Sequence, residues 1–174
     1  MRNPTDVLNS LSDKSKNPEY RFQRLYRNLY NPDFYLLAYK NIYANGGSMT
    51  PGVNGITIDG MSSQRIAKLI ESLKDRSYQP NPARRTYIAK KNNPAKKRPL
   101  GIPSGDDKLV QEVIRMLLES IYEPNFSDAS HGFRPQKSCH TALTKIQKTF
   151  TGAKWFVEGD IKACFDSFDH HVLI

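Results

Sequence analysis

The stretch Trp155–His170, WFVEGDIKACFDSFDH, decides how the rest of this chain is read. Trp155, Phe156 and Val157 are strong strand formers, and Ile161 resumes the apolar character beyond Gly159. Alternation along a strand places Phe156, Glu158 and Asp160 on one face and Trp155, Val157 and Ile161 on the other. The pattern predicts a largely buried strand with a carboxylate arriving at its end. A charge buried there is costly unless a cation or donor meets it. Asp160 is therefore either bonded to backbone at an ordinary strand–helix junction or placed for chemistry. Beyond it, Asp166–Asp169 can cap a further helix, with Asp166 read as a plain N-cap.

Moving toward the N-terminus, Ser138–Phe150 has the spacing of an amphipathic helix, and Pro124–Gln136 before it reads as a loop. A long helix is predicted from a cap at Asp106 or Asp107 to Glu123. Leu109, Val113, Leu117 and Ile121 form one flank, with Val110, Ile114 and Leu118 beside them, so this helix is expected to be central and buried. Gly105-Asp106-Asp107 spells the paired-aspartate signature of viral RNA polymerases, but catalytic use needs that trio in a tight hairpin between strands. Here it precedes a helix and reads as a cap. Arg84–Lys91 and Arg98–Ile102 read as strands joined by the turn residues Asn92–Ala95, a basic β-hairpin. Its plain alternative is a charged edge that resists aggregation.

Nearer the start, Asn17-Pro18 and Asn31-Pro32 each read as an N-cap followed by proline in the first turn. The first is expected to open a helix carrying Phe22, Leu25, Tyr26 and Leu29. The second opens one carrying Leu36, Tyr39, Ile42 and Tyr43, ended by Asn45-Gly46-Gly47. Thr5–Leu11 is a shorter helical segment. Asn45–Gly60 is a glycine-rich loop without the G-K-[ST] of a phosphate-binding P-loop. Ser62 or Ser63 then caps a helix with Ile66, Leu69, Ile70 and Leu73 as its buried stripe, broken by Tyr78–Pro82.

The charge is uneven. The net charge is +9 over 174 residues, and Arg76–Gly105 holds eight Lys/Arg with no Asp or Glu. Such a field implies a polyanionic partner, nucleic acid before a membrane surface. Tyr20, Tyr26, Tyr30, Phe34, Tyr35, Tyr39 and Tyr43 crowd the N-terminal third, and aromatics among cations suit RNA bases unless they simply build a helical core. The mean hydropathy of −0.63 and the lack of a long apolar run argue against a membrane span. The N-terminus has no secretory signal pattern. Cys139 and Cys164 share no metal-ligand spacing and read as reduced thiols, and His131, His140, His170 and His171 are not spaced as a zinc site.

Four stretches in order resemble successive blocks of the group II intron-encoded reverse transcriptases, or maturases. They are TPGVNGITIDG, RRTYIAKKNNPAKKRPLGIPSGDDKLVQEVI, ASHGFRPQKSCHTAL and VEGDIKACFDSFDH. The resemblance implies an α+β fold: right-hand polymerase fingers with the beginning of the palm, helix-rich with a basic β-hairpin. It implies N-terminal extension helices over 1–50, fingers over 51–125, and over 126–174 the finger/palm junction with the first catalytic palm strand. The activity implied is RNA-directed DNA polymerisation by two Mg²⁺ ions, with intron RNA, an RNA template, a DNA primer and deoxynucleoside triphosphates as partners. The alternative within the family is a splicing maturase that acts mainly by binding intron RNA. A related reverse transcriptase of another mobile or defence system is a third.

By the same resemblance, Asp160 and the backbone carbonyl of Ile161 are metal ligands. Lys90 and Arg98 meet the incoming triphosphate, and Cys164 and Phe165 lie at the sugar 2′ position, where the family often has an aromatic at the first place. Asn45, Gly46, Gly47, Pro51 and Gly52 belong to a lid over the template. Arg84, Arg85, Lys96, Lys97, Gly132, Phe133 and Arg134 lie near RNA. The family's second catalytic block, a Tyr/Phe-Ala-Asp-Asp hairpin, is not in this sequence, nor are a thumb and a further RNA-binding domain, so the chain reads as the N-terminal part of a longer polymerase that is inactive alone. A bacterial cytoplasmic or organellar setting is implied, without secretion or a membrane, and no oligomer is indicated.

Overall fold

Two of the three Asn-Pro pairs before residue 40 start helices, and the third does not. A computed structural model describes residues 2–91, 93–161, 164 and 167–173. Helix α1, Pro4–Ser15, begins where Asn3 accepts a hydrogen bond from the Thr5 amide at 2.9 Å. It is longer than the Thr5–Leu11 segment expected. Helix α2, Pro32–Tyr43, begins the same way, with Asn31 accepting from the Asp33 amide at 3.1 Å. Asn17 also accepts an amide two residues on, from Glu19 at 3.0 Å, but there the bond closes a turn. No helix follows it directly. The backbone enters the left-handed region at Arg24 (φ 58°), and only a 3-10 segment, Leu25–Tyr30, forms. A side chain that satisfies the local amide in a turn removes the need for a helix to do so.

Helix α3, Ser63–Lys74, carries the expected cap, with Ser62 Oγ accepting from the Arg65 amide, and the expected stripe of Ile66, Leu69, Ile70 and Leu73 is buried. Strands β1, Arg84–Lys90, and β2, Asn93–Ile102, pair antiparallel, so the hairpin is present and its second strand starts earlier than predicted. Helix α4, Gly105–Tyr122, packs against α1, α2 and the 3-10 segment, burying Leu109, Val110, Val113, Met116, Leu117 and Ile121 against Phe34, Tyr35 and Ala38 of α2. Two details differ from expectation. The cap position is Ser104, with Asp106 and Asp107 in the first turn, where carboxylates complement the helix dipole. Ile114 and Leu118, expected beside the buried flank, are exposed.

Residues 1–126 form one compact unit around this core, and residues 127–174 form another. In the second, α5, Cys139–Thr149, is closed by a capping box between Ser138 and Thr141, and a short α6 spans His170–Leu173. At its start the Asp169 carboxylate accepts from the His171 amide at 2.8 Å. The strand expected over residues 155–161 is absent: residues 153–161 have no regular structure, and Trp155 is 91% exposed. Strand propensity requires a ladder to act on, and the only sheet among the described residues is the β1–β2 pair, each strand occupied by the other. Asp166 lies outside the described residues.

Candidate nucleic-acid interface

The β1–β2 register sorts the cations of the hairpin by face. Arg84 pairs with Ile102, Thr86 with Leu100 and Ile88 with Arg98, so Arg84 and Arg98 share a face. Arg85 pairs with Gly101, Tyr87 with Pro99 and Ala89 with Lys97, so Arg85 and Lys97 share the other face with Tyr87. The ladder then slips, and Lys90 pairs with Asn93. Lys90 and Arg98, both expected at a triphosphate, are therefore not cross-strand partners, and Lys96 falls in the extra residues at the slip. Nearly every hairpin residue is exposed on both faces. Arg84, Arg85, Lys90, Lys96, Lys97 and Arg98 have no carboxylate partner among the described residues. A field of this kind is attractive to phosphates and otherwise only self-repelling.

The hairpin is fixed at its root by a residue the sequence reading assigned to capping. Asp107, 1% exposed, accepts from Ser104 Oγ at 2.6 Å, from the Asn81 amide at 3.1 Å, from Asn81 Nδ2 at 3.2 Å and from Tyr78 Oη. Asn81 lies just before β1 and Ser104 just after β2, so one carboxylate holds both legs. Burial pushes this carboxyl upward, but the hydrogen bonds from Ser104, Tyr78 and Asn81 outweigh it and hold Asp107 below its ordinary value. Burial, and then the bond to Asp107, push the Tyr78 phenol well up.

The glycine-rich loop is anchored to the same helix end. Lys108 Nζ donates to the carbonyls of Gly47, Ser48 and Thr50 at 3.1, 3.0 and 2.7 Å. Arg65 ties α3 in, donating to Asp106 at 2.7 Å and to the Thr57 carbonyl at 3.1 Å. A Cβ on Gly52 would come 2.6 Å from the Ser104 nitrogen, and one on Gly105 would come 2.2 Å from the Thr57 oxygen. Gly52 thus allows the loop to pack its backbone directly on Ser104. Gly46 and Gly47 have open space around them, Asn45 is exposed, and Pro51 is half-buried.

In the second unit, Arg134 donates to the carbonyls of Ser127 and Ser130 at 2.8 and 2.9 Å, closing the loop that precedes α5. Gly132 is exposed, and Phe133 is fully exposed on a left-handed backbone (φ 56°). Asp160 and Ile161 are exposed, Cys164 is partly buried, and Phe165 lies outside the described residues.

The sequence of the second half settles the kinship. The family model described as reverse transcriptase (RNA-dependent DNA polymerase) matches residues 88–174, from the middle of β1 through Asp160. The chain belongs to the reverse transcriptase family. The relatives it matches include intron-encoded proteins. The chain is 57% identical over 169 residues, 97% of its length, to the group II intron-encoded protein LtrA of Lactococcus lactis subsp. cremoris. It is 50% identical over 97% of its length to an uncharacterized 91 kDa protein in the cob intron of Schizosaccharomyces pombe. It is 28% identical over 99% of its length to the nuclear intron maturase 1, mitochondrial, of Arabidopsis thaliana. It spans 28%, 21% and 27% of the length of those three proteins. The group II intron resemblance read from the four sequence blocks is borne out.

The chemistry of this family uses Mg²⁺, which takes hard oxygen ligands such as carboxylates. One carboxylate does not hold two ions, however, and among the described residues no cluster of three or more His, Cys, Asp or Glu side chains is placed to hold a metal. The described residues do not by themselves fit a two-ion centre. No described helix is long and apolar enough to cross a membrane.

Proposed function

We propose that this chain is the nucleic-acid-gripping part of a group II intron reverse transcriptase. The N-terminal extension spans 1–50, the fingers 51–125, and the finger/palm junction with the start of the palm 126–174. The observation that carries the reading is the hairpin: Arg84 and Arg98 on one face and Arg85 and Lys97 on the other, without acidic partners among the described residues, held at the root by Asp107, in a member of a polymerase family.

In this reading Arg98 and Lys90 stabilise the charge of an incoming deoxynucleoside triphosphate, Arg through forked donors and Lys as a point charge. Arg84, Arg85, Lys96, Lys97, Phe133 and Arg134 hold RNA template, DNA primer and intron RNA, under the loop of Asn45, Gly46, Gly47, Pro51 and Gly52. Cys164 and Phe165, the latter outside the described residues, are assigned to the nucleotide sugar. Asp160 and the Ile161 carbonyl contribute ligands to a Mg²⁺ centre that other residues of the whole protein complete. The chain alone is catalytically incomplete. The setting is a bacterial cytoplasm or an organelle, in keeping with relatives that include a Lactococcus lactis protein and one named as mitochondrial.

Replacing Asp160 by Asn in the whole protein keeps the size and removes the ligand charge. Primer extension is expected to fall by far more than tenfold with RNA affinity little changed. Extension above about a tenth of the unaltered rate removes Asp160 from the metal site. Arg98→Ala is expected to weaken use of nucleotide more than affinity for template.

A further inference from the structure

A second acid-free run lies in the second unit. Residues 129–157 include Arg134, Lys137, Lys145, Lys148 and Lys154 and no Asp or Glu. Helix α5 sorts its residues by face: Leu143, Ile146 and Phe150 recur at helical spacing on one side, and Thr141, Lys145 and Lys148 on another. The basic side borders a cleft of about 450 Å³ whose lining includes His131, Lys137, His140, Thr141, Lys145 and Lys148. None of the three lysines has an ion-pair partner among the described residues.

The histidine sharpens the picture. His131 Nδ1 lies 2.8 Å from Thr141 Oγ1, and that hydroxyl donates to the Ser138 carbonyl at 2.8 Å. The hydroxyl hydrogen is committed, so Nδ1 is the donor in this pair. His131 Nε2 is buried and has no hydrogen-bond partner among the described residues. Burial first, and then the charges of Lys137, Lys145 and Arg134, hold the imidazole below its usual range. An anion in the cleft would relieve the repulsion among these cations and favour the charged imidazolium.

We propose that the cleft along α5 binds the phosphodiester backbone of RNA, as a contact surface additional to the hairpin. The proposal rests on the nucleic-acid reading above and extends it to residues outside that reading: His131, Lys137, His140, Lys145 and Lys148. Lys145 and Lys148, three residues apart, are neighbours on the helix surface and can engage adjacent phosphates. A phosphate chain can follow a shallow groove lined by lysine donors, whereas an anionic bilayer would need the apolar face of α5 on the same side as the lysines.

The test is an anisotropy titration of fluorescein-labelled single-stranded RNA against salt, using the 174-residue chain. Unaltered protein is compared with Lys145→Gln/Lys148→Gln and, separately, with Lys96→Ala/Lys97→Ala/Arg98→Ala. Loss of two phosphate contacts is expected to make the slope of log K against log salt shallower by about 1.4 in the α5 variant. Amine-reactive labelling of the unaltered chain, read by mass spectrometry, is expected to show Lys145 and Lys148 protected by saturating RNA. An unchanged slope in the α5 variant beside a shallower one in the hairpin variant overturns the cleft and leaves the nucleic-acid reading standing. Unprotected lysines with RNA bound do the same. Salt-independent or absent RNA binding by the unaltered chain overturns both. Loss of binding to phosphatidylglycerol vesicles in the α5 variant, with RNA binding intact, overturns the proposal in favour of a membrane surface.

Discussion

Helix α4 buries nine of its residues, whereas α5, equally amphipathic in sequence, buries none. The two helices share their sequence grammar: a serine at the cap position and apolar residues at spacings of three and four. They differ in what surrounds them. Around α4, residues from α1, α2 and the 3-10 segment close over Leu109, Val113 and Leu117. Around α5, Leu143, Ile146 and Phe150 remain exposed. A periodic pattern names the face a helix can bury. It does not supply the partner that buries it.

The largest expected effect follows from that contrast. Leu109→Ala removes a fully buried side chain and is expected to cost about 2–5 kcal/mol in urea unfolding. Leu143→Ala removes one that is 61% exposed and is expected to change stability by no more than about 0.5 kcal/mol. A comparable cost at both sites would mean that the apolar face of α5 is covered in solution, and the contrast between the helices would fall.

Asp107 sharpens the comparison, because it gives α4 a role at the hairpin root that nothing on α5 matches. Asp107→Asn keeps the shape but loses the charge and gives the donors of Ser104, Tyr78 and Asn81 a poorer acceptor, at an expected cost of about 1–3 kcal/mol. The pH dependence has a definite sign. The folded pKa is depressed, so the stabilisation is present above the unfolded value of about 4 and is lost as pH falls through the lower folded value. Glu112 is depressed too: burial raises it, but hydrogen bonds from Arg115 and Asn41 outweigh that, and it contributes in the same direction. Thermal unfolding followed from pH 6 to 2 should show an acid-side loss that is smaller in Asp107→Asn. Equal losses in both proteins would remove Asp107 from the clamp.

Much of the first unit was legible because its determinants are local. Asn31-Pro32, Ser62 and the stripe Ile66, Leu69, Ile70 and Leu73 act within one or two helical turns. The hairpin was legible for the same reason, although the slip at Lys90 was not. What escaped was non-local. Asp107 looked like a cap because its partners at Tyr78 and Asn81 are 29 and 26 residues away. Lys108 carried no signal at all, since its three acceptors are backbone carbonyls some sixty residues earlier. Residues 155–161 were misread as a buried strand because propensity was credited without a neighbour to pair with. The acid-free run over 129–157 was visible in the sequence by the same count that exposed the hairpin.

Lys108 makes a second site-specific difference between the helices, with a smaller effect. Lys108→Met keeps the aliphatic stem and removes three charge-assisted hydrogen bonds to the glycine-rich loop. The expected result is a local loss of about 1–2 kcal/mol, read as faster hydrogen exchange at the amides of Ser48 and Thr50, with little change in global unfolding. Unchanged exchange there would mean that packing of Gly52 on Ser104 holds the loop without the lysine.

The smallest effect belongs to α5 itself. Ser138 accepts from the Thr141 amide at 3.3 Å and gives its own amide to Thr141 Oγ1 at 2.9 Å, which closes the capping box. Ser138→Ala removes one half of that exchange and leaves an amide to water, a change worth about 1 kcal/mol to a helix. In α4 such a loss would reach the whole first unit, because the helix and its core unfold together. In α5 no buried side chain couples the helix to a core within its unit, so the loss should stay local. Exchange of the Thr141 and Ala142 amides is expected to accelerate about fivefold. If Ser138→Ala leaves the Thr141 and Ala142 amides exchanging as before, the capping box does not hold the first turn of α5.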